Sequence, residues 1–288
     1  MRSLAGILLT ILPAQSDSLR ERLTARIESI EGTVAVAFHD LATNTQILIN
    51  DREMFHAAST MKTPVMVELF RQADEGGTRL DDSLLIENSF RSIVDGSTYT
   101  MDLRDDSDDS MYGMIGKQMT VRDLIYRMIT VSSNLAANIL VELADARKVT
   151  RTMRAIGADS IQVLRGVEDL KAFDAGLNNQ TNAYDLMLIF KAMADGSIAS
   201  IPACKEMIDI LADQKLNDLI PAQLPPGTRI AHKTGSITGV EHDGGIVFLA
   251  DGRKYVLVIL SKDLKDRGQG KKAIADISRL LYDHVRGN

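Results

Sequence analysis

The chain has 288 residues, of which 45% are hydrophobic and 25% charged, and its formal net charge is −6. This composition is typical of a soluble globular protein, and the length suits one large domain or two interleaved subdomains. The negative balance argues against nucleic acid as the main partner, because phosphate binding requires a basic face. A single cysteine excludes an intrachain disulfide.

The N-terminus has the pattern of an export signal. Arg2 precedes an apolar run over residues 4–12, and Pro13 and Ala14 follow it. This order is that of a secretory signal peptide, so we expect residues 1–16 to be one and the protein to be secreted or periplasmic. The alternative is a short buried segment. No later stretch approaches the ~20 apolar residues of a membrane span, so none is expected.

The next residues predict a helix followed by a β-hairpin. Apolar residues recur at helical spacing over residues 18–30. Two short runs rich in β-formers, 33–38 and 46–50, flank residues 40–44, whose composition is typical of a turn.

The middle of the chain, residues 59–215, predicts a mostly helical region. Apolar stripes at helical spacing indicate helices over residues 61–73, after Thr120 as N-cap, around residues 135–143 and 186–193, and after Pro202. Residues 95–116 show the least regular pattern, and we expect a long loop there.

The end of the chain returns to strands and closes with a helix. Strands are predicted at 228–234, 244–250 and 254–261, with a hairpin turn at Asp251-Gly252, and a helix at 271–285. The economical architecture is α+β: a five-stranded antiparallel sheet flanked by terminal helices, plus an all-helical lobe. We assign residues 17–58 and 216–288 to an α/β subdomain, and residues 59–215 to a helical one.

Ser59 and Lys62 form the first candidate for chemistry. Pro64 fits best near a helix start, so Ser59 is expected at a helix N-terminus, beside free backbone N–H groups. Lys62 lies one turn further on, and its amine can reach Ser59. A serine hydroxyl is a poor nucleophile until a base takes its proton, which a partly desolvated lysine can do. Taken alone, the pair is more typical of an N-cap and a surface lysine, because this spacing occurs often by chance.

Two further polar segments accompany this pair. Ser132-Ser133-Asn134 separates two amphipathic helices, and the segment Lys233-Thr-Gly-Ser236 comes at the end of a predicted strand. Separately they are typical of a helix cap and a polar strand end. Their conjunction with Ser59 and Lys62 predicts a catalytic site.

Ser59-Thr-Met-Lys62, Ser132-Ser-Asn134 and Lys233-Thr-Gly235 resemble the signature of class A β-lactamases and penicillin-binding proteins. The resemblance covers about residues 18–286 and is strongest to a divergent branch of class A. It implies a serine β-lactamase that opens the lactam amide of a small-molecule substrate through an acyl-enzyme on Ser59. The alternatives are a D-alanyl-D-alanine carboxypeptidase, penicillin-binding protein or esterase acting on peptidoglycan peptides, and a non-catalytic binding or sensor protein.

The resemblance also implies a role for each residue. Ser59 attacks the acyl carbonyl, Lys62 is a general base or proton shuttle, and Ser132 relays a proton to the leaving nitrogen. The implied substrate-binding residues are Asn134, Lys233, Thr234, Gly235 and Ser236. The backbone N–H groups of Ser59 and Ser236 would form the oxyanion hole.

The sequence departs from the class A pattern in two places. The middle residue of the second motif, usually Asp, is Ser133. The glutamate that activates the deacylating water, with an asparagine four residues on, has no full match. Glu168 lies at about the right distance from Ser132 but is followed by Ala172, while Asp174 and Asn178 keep the interval later in the chain. We expect Glu168 to be the base. If neither acid serves, the acyl-enzyme would be long-lived.

No cofactor or metal is expected. The histidines show no metal-ligand spacing, and the acidic segment 102–109 lacks the glycine and closing glutamate of an EF-hand loop. We therefore expect a solvated acidic loop there. His242 follows the third motif and is expected to be structural, the alternative being a place in the site. We also expect a monomer.

Overall fold

The computed structural model describes residues 14–287. Within that range the α-helices are α1 (Ala14–Glu28), α2 (Lys62–Asp74), α3 (Val121–Thr130), α4 (Asn134–Ala144), α5 (Ala146–Ala155), α6 (Leu170–Asp174), α7 (Ala183–Ala194), α8 (Ile201–Ala212) and α9 (Arg267–Gly287). The proposed signal peptide lies mostly outside the described residues.

The strands are β1 (Thr33–Asp40), β2 (Gln46–Ile49), β3 (Phe55–His56), β4 (Ser83–Leu85), β5 (Phe90–Arg91), β6 (Thr98–Tyr99), β7 (Gln118–Thr120), β8 (Gln180–Thr181), β9 (Arg229–Ile237), β10 (Val240–Phe248) and β11 (Lys254–Lys262). Short 3₁₀ turns cover Ala58–Met61, Leu103–Asp105, Asp109–Met114 and Ile220–Gln223. Two of these turns and β6 lie in the region predicted as a long loop.

Five strands form one antiparallel sheet in the order β2-β1-β11-β10-β9. The other strands pair into short two-stranded ladders. With its many helices, this sheet confirms the predicted α+β fold class. No helix within the described residues is long and apolar enough to cross a membrane.

Each face of the sheet is covered by a separate hydrophobic core. Side chains alternate along β11, so Leu257 packs in the core against the terminal helices α1 and α9, while Leu260 packs in the core shared with the helical region. The leucine and isoleucine spacing that predicted α1 is explained by this packing, since Leu23 and Ile27 are buried there. The subdomain boundaries at residues 58/59 and 215/216 stay a prediction.

The β9–β10 hairpin is longer than the sequence indicated. β9 continues to Ile237 rather than ending at Thr234, and β10 begins at Val240 rather than Gly244. The start of β10 was not predicted because residues 241–243 are polar, yet all three are buried in the strand. The third motif therefore lies inside an edge strand, not at a strand end.

Candidate active site

Ser59 lies in the 3₁₀ turn that runs directly into α2. Pro64 falls in the first turn of α2, as the sequence predicted, where a missing N–H costs little. The preceding Ala58 has a φ of 45°, a strained left-handed conformation for a non-glycine residue. Ser59 is half-buried and lines a cleft of about 520 Å³. Within the described residues its Oγ has no hydrogen-bond partner, so it is available to a substrate.

Lys62 is buried and points its amine at the second motif. Its Nζ donates to the Ser132 carbonyl at 2.7 Å, to Ser132 Oγ at 3.1 Å and to Asn134 Oδ1 at 2.8 Å. Among the described residues no hydrogen bond joins Lys62 to Ser59, and the reach inferred from spacing stays a prediction. Burial lowers the pKa of Lys62 to about 7, against an opposing effect of Asp106. A substantial fraction of this amine is therefore neutral at physiological pH.

Ser132 lies between α3 and α4 and is held by two lysines. Its φ is 60°, a second strained residue at the site. Its Oγ accepts a hydrogen bond from Lys233 Nζ at 3.0 Å in addition to the one from Lys62. Lys233 also donates to the Thr234 carbonyl at 2.8 Å. Burial, then the charge of Lys62, lowers the pKa of Lys233.

Gly235 allows β9 to lie against the turn that carries Ser59. A Cβ added at Gly235 would lie 3.1 Å from the backbone nitrogens of both Ser59 and Thr60. Even alanine would push the strand away from this turn. The glycine of the third motif therefore sets the distance between β9 and the backbone of Ser59.

Ser236 extends the site to a charged pair that the sequence did not reveal. Its Oγ lies 3.1 Å from Glu241 Oε1 and accepts a hydrogen bond from Arg267 Nη2 at 2.8 Å. Arg267 also forms an ion pair with the buried Glu241. Glu241 pairs with Ser236 across the β9–β10 hairpin, so the correct hairpin register would have indicated this contact. A second hollow of about 710 Å³ adjoins the first at Ser59 and extends to Arg267.

Glu168 lines the same cleft as Ser59. Its φ is 60°, and within the described residues its carboxylate accepts no hydrogen bond. Burial, then the charge of Asp105, raises the pKa of Glu168. Asp174 is exposed at the end of α6 and is not among the residues that line this cleft. Of the two acids that the sequence offered, Glu168 alone lies on the wall that carries Ser59.

The segment that carries Glu168 is held by two buried asparagines. Asn138 Oδ1 accepts from the N–H of Val167 at 2.6 Å, and its Nδ2 donates to the Val167 carbonyl at 3.0 Å. Asn179 Oδ1 accepts from the N–H of Leu164 at 2.7 Å. Sequence reasoning missed both, although Asn138 interrupts the apolar stripe of α4.

His242 serves the fold. It is buried, with Nε2 2.9 Å from the His56 carbonyl and Nδ1 accepting from the Ser261 N–H at 3.1 Å. Nδ1 also lies 3.0 Å from the Glu241 carbonyl, so every contact of the ring nitrogens is to a backbone group. Among the described residues, no group of His, Cys, Asp and Glu could hold a metal ion.

Comparison with known proteins places this geometry in a family. The chain matches the Beta-lactamase enzyme family over residues 18–285. It belongs to this family. The resemblance drawn from the three motifs is thereby confirmed. A β-lactamase of Bacteroides uniformis is 26% identical, over 96% of this chain and 95% of that protein. The extended-spectrum β-lactamase PER-1 of Pseudomonas aeruginosa is 24% identical, over 93% of this chain and 88% of that one.

Solved structures agree with this assignment to the β-lactamase family. A β-lactamase of Sphaerobacter thermophilus is 26% identical with a TM-score of 0.78, over 93% of this chain and 97% of that one. A mutant of PBP-A, solved as an acyl-enzyme complex with penicillin G, is 25% identical with a TM-score of 0.80, over 94% and 97%. The chain is a β-lactamase-like serine hydrolase.

Proposed function

We propose that this protein is a serine β-lactamase that hydrolyses the lactam amide through an acyl-enzyme on Ser59. One observation carries the proposal: the Ser59 hydroxyl, unpartnered in the described part of the chain, and the Glu168 carboxylate line one cleft, beside a serine held by two buried lysines. This set contains a nucleophile, a base for acylation, a proton donor and a base for deacylation.

Acylation begins when neutral Lys62 accepts the proton of Ser59. The Oγ of Ser59 then bonds to the lactam carbonyl carbon, while the backbone N–H groups of Ser59 and Ser236 stabilise the oxyanion. As the carbon–nitrogen bond breaks, Ser132 gives its proton to the leaving nitrogen. Lys62, bonded to Ser132, returns a proton to it.

The far end of the cleft supplies the substrate contacts. Thr234 and Ser236 bind the substrate carboxylate, and Arg267, which is paired with Glu241, donates to Ser236. Lys233 keeps this end electropositive. Asn134 accepts from Lys62 through Oδ1 and donates to the Asp105 carbonyl through Nδ2, which leaves its second amide hydrogen for the substrate side chain.

Deacylation is assigned to Glu168. Its raised pKa makes its carboxylate a stronger base than an ordinary glutamate, and no residue from 14 to 287 bonds to that carboxylate in competition with a water molecule. Glu168 takes a proton from the water as the water oxygen bonds to the ester carbon. The bond from that carbon to Ser59 Oγ then breaks, and the proton passes from Glu168 to Ser59 as the product acid leaves.

Nitrocefin turnover tests the assignment directly. We expect the wild-type protein to turn over nitrocefin and the Ser59→Ala variant to show none, because no other group in the cleft forms the ester. The matched control Ser29→Ala changes an exposed serine at the end of α1 and is expected to keep full activity. Turnover by Ser59→Ala would refute the mechanism.

A second candidate is a D-alanyl-D-alanine carboxypeptidase or penicillin-binding protein with the same Ser59 and Lys62 chemistry. The observation that favours it is Ala172, which is buried in α6 where class A enzymes carry the asparagine that helps hold the water. In that case the acyl-enzyme formed with penicillin would persist.

The proposed substrates are found outside the cytoplasm, which agrees with a secreted or periplasmic location. N-terminal sequencing of the protein recovered from the periplasm or medium tests export, and a mature start near residue 16 is expected. Sedimentation velocity tests the expected monomer.

A further inference from the structure

The second motif lacks its usual carboxylate. Ser133 is the N-cap of α4, and its Oγ accepts from the N–H of Ala136 at 3.3 Å. A serine cap satisfies only one of the N–H groups that a helix leaves free at its start. The N–H groups of Asn134 and Leu135 therefore need an acceptor from elsewhere in the chain.

Asp106 supplies that acceptor from the acidic segment 102–109. Its Oδ1 accepts from the N–H of Asn134 at 2.9 Å, and its Oδ2 accepts from the N–H of Leu135 at 2.8 Å. A carboxylate in this position also meets the positive end of the α4 dipole. The segment that the sequence predicted as a solvated loop thus bonds directly to the site.

Neighbouring residues hold Asp106 in place. Ser107 Oγ donates to the carbonyls of Val131 at 2.7 Å and Ser132 at 3.0 Å. The buried Asp108 accepts from Arg127 Nη1 of α3 at 2.9 Å. The Asp105 carbonyl accepts from Asn134 Nδ2 at 2.9 Å. The four successive residues 105–108 therefore bind α3, α4 or the connection between them.

The same carboxylate acts on Lys62. Burial lowers the pKa of Lys62, and Asp106 is the charge that raises it. The charge of Lys62 also lowers the pKa of Lys233 on β9, and the charge of Asp243 on β10 raises it. In the cleft, the charge of Asp106 also contributes to the raised pKa of Glu168. Asp106 therefore offsets part of the cost of burying Lys62.

We propose that Asp106 is a positioning residue of the active site, replacing the missing motif carboxylate by binding the Asn134 and Leu135 amides and placing a negative charge near Lys62. The inference rests on the proposed function, because its consequence is the orientation of Asn134 and the protonation of Lys62 during acylation. It assigns a use to an acidic segment that fits no metal loop.

The test compares Asp106→Asn with Asp109→Asn, which removes the same charge from an exposed residue of the same segment. The rate of labelling by a fluorescent penicillin is measured from pH 5 to 9. Asp106→Asn should label roughly tenfold more slowly, because a small misplacement of a catalytic group is costly. Its acidic limb should move down by about half a pH unit, since losing the anion lowers the pKa of Lys62. Asp109→Asn should match the wild type.

An unmoved acidic limb in Asp106→Asn would overturn the proposal, even if its labelling slowed. If Asp106→Asn does not fold, an NMR measurement on the wild-type protein tests the contact instead. The amide proton resonances of Asn134 and Leu135 should both exchange slowly with solvent, because each amide donates to the Asp106 carboxylate, and fast exchange at either one would contradict the contact. These resonances need no substrate. A wild-type protein that penicillin does not label would refute the proposed function and leave this test intact.

Discussion

Two buried lysines share one serine hydroxyl at the centre of the site. Lys62 and Lys233 both donate to Ser132 Oγ, so two like charges are brought together away from water. Such an arrangement is unstable with both amines charged, and the lowered pKa values relieve it by releasing a proton. The cost of burial is thus the source of a base that works at neutral pH.

The pH dependence of acylation follows from Lys62. Its pKa is lowered to about 7. The neutral, reactive form of Lys62 is therefore lost as the pH falls through 7, and almost all of the amine is neutral well above that pH. We expect the rate of penicillin labelling to rise across this range. Lys62→Arg keeps the charge but cannot act as a base, so labelling should fall about 10²- to 10⁴-fold. The control is Lys171→Arg, an exposed lysine. A rate independent of pH from 5 to 9 would contradict this role.

Glu168 controls release of the acyl group. Glu168→Gln should leave acylation by penicillin G nearly unchanged and slow the return of free enzyme about 10²- to 10⁴-fold, because an amide cannot accept the proton of water. Time-resolved intact mass spectrometry measures both steps. Asp174→Asn is the control and should release the acyl group at the wild-type rate. A wild-type acyl-enzyme as long-lived as that of Glu168→Gln would favour the penicillin-binding-protein alternative.

At the scale of elements, the β9–β10 hairpin organises both the site and its support. Gly235 on β9 lies against the Ser59 turn, while Glu241 on β10 holds Arg267. On the same strand, Asp243 pairs with His232 at 2.9 Å and accepts from the N–H of Ile220. Buried polar groups with full partners specify one register, because a slip of one residue would leave them all unpaired.

His242 makes the stability of this hairpin dependent on pH. Burial lowers its pKa from 6.5 to about 4. Between these two pH values His242 is protonated in the unfolded chain but not in the folded protein. The free energy of unfolding should therefore fall as the pH drops from about 6.5 to about 4, by about 3 kcal/mol from this residue. Burial also lowers the pKa of His56, which acts in the same direction.

Urea unfolding of His242→Gln at several pH values measures this contribution. Glutamine can donate to the His56 carbonyl and accept from the Ser261 N–H but does not titrate. The variant should lose clearly less stability than the wild type between pH 6.5 and 4.5. An equal acid loss in His242→Gln would show that the buried histidine is not responsible.

At the scale of the whole molecule, one sheet joins two cores. Leu257 and Leu260 on β11 are fully buried on opposite faces, so each stabilises a different core through the same strand. Leu257→Ala and Leu260→Ala should each cost about 2–5 kcal/mol and keep a single unfolding transition in urea. The control Leu85→Ala changes an exposed residue and should cost about 0.5 kcal/mol or less. A second transition in either core variant would show that the two cores unfold separately.

Local patterns predicted most of the architecture, because apolar spacing and turn chemistry depend on residues that are close in sequence. Thr120 caps α3 and Pro202 opens α8 as expected. The start of β10 was missed, since residues 241–243 are polar and their burial depends on partners distant in sequence. Asp106 and Arg267 could not be predicted for the same reason. Each reaches the site from a segment whose place is set by tertiary packing.

The central claim is that Ser59 forms the acyl-enzyme, and mapping the adduct tests it most directly. Glu168→Gln is mixed with penicillin G, quenched in acid and digested with trypsin, which cuts after Arg52 and Lys62. Tandem mass spectrometry should find one penicilloyl group on the peptide of residues 53–62, localised to Ser59, and none in Ser59→Ala. An adduct on another residue, or an unmodified peptide at saturating penicillin, would contradict the account.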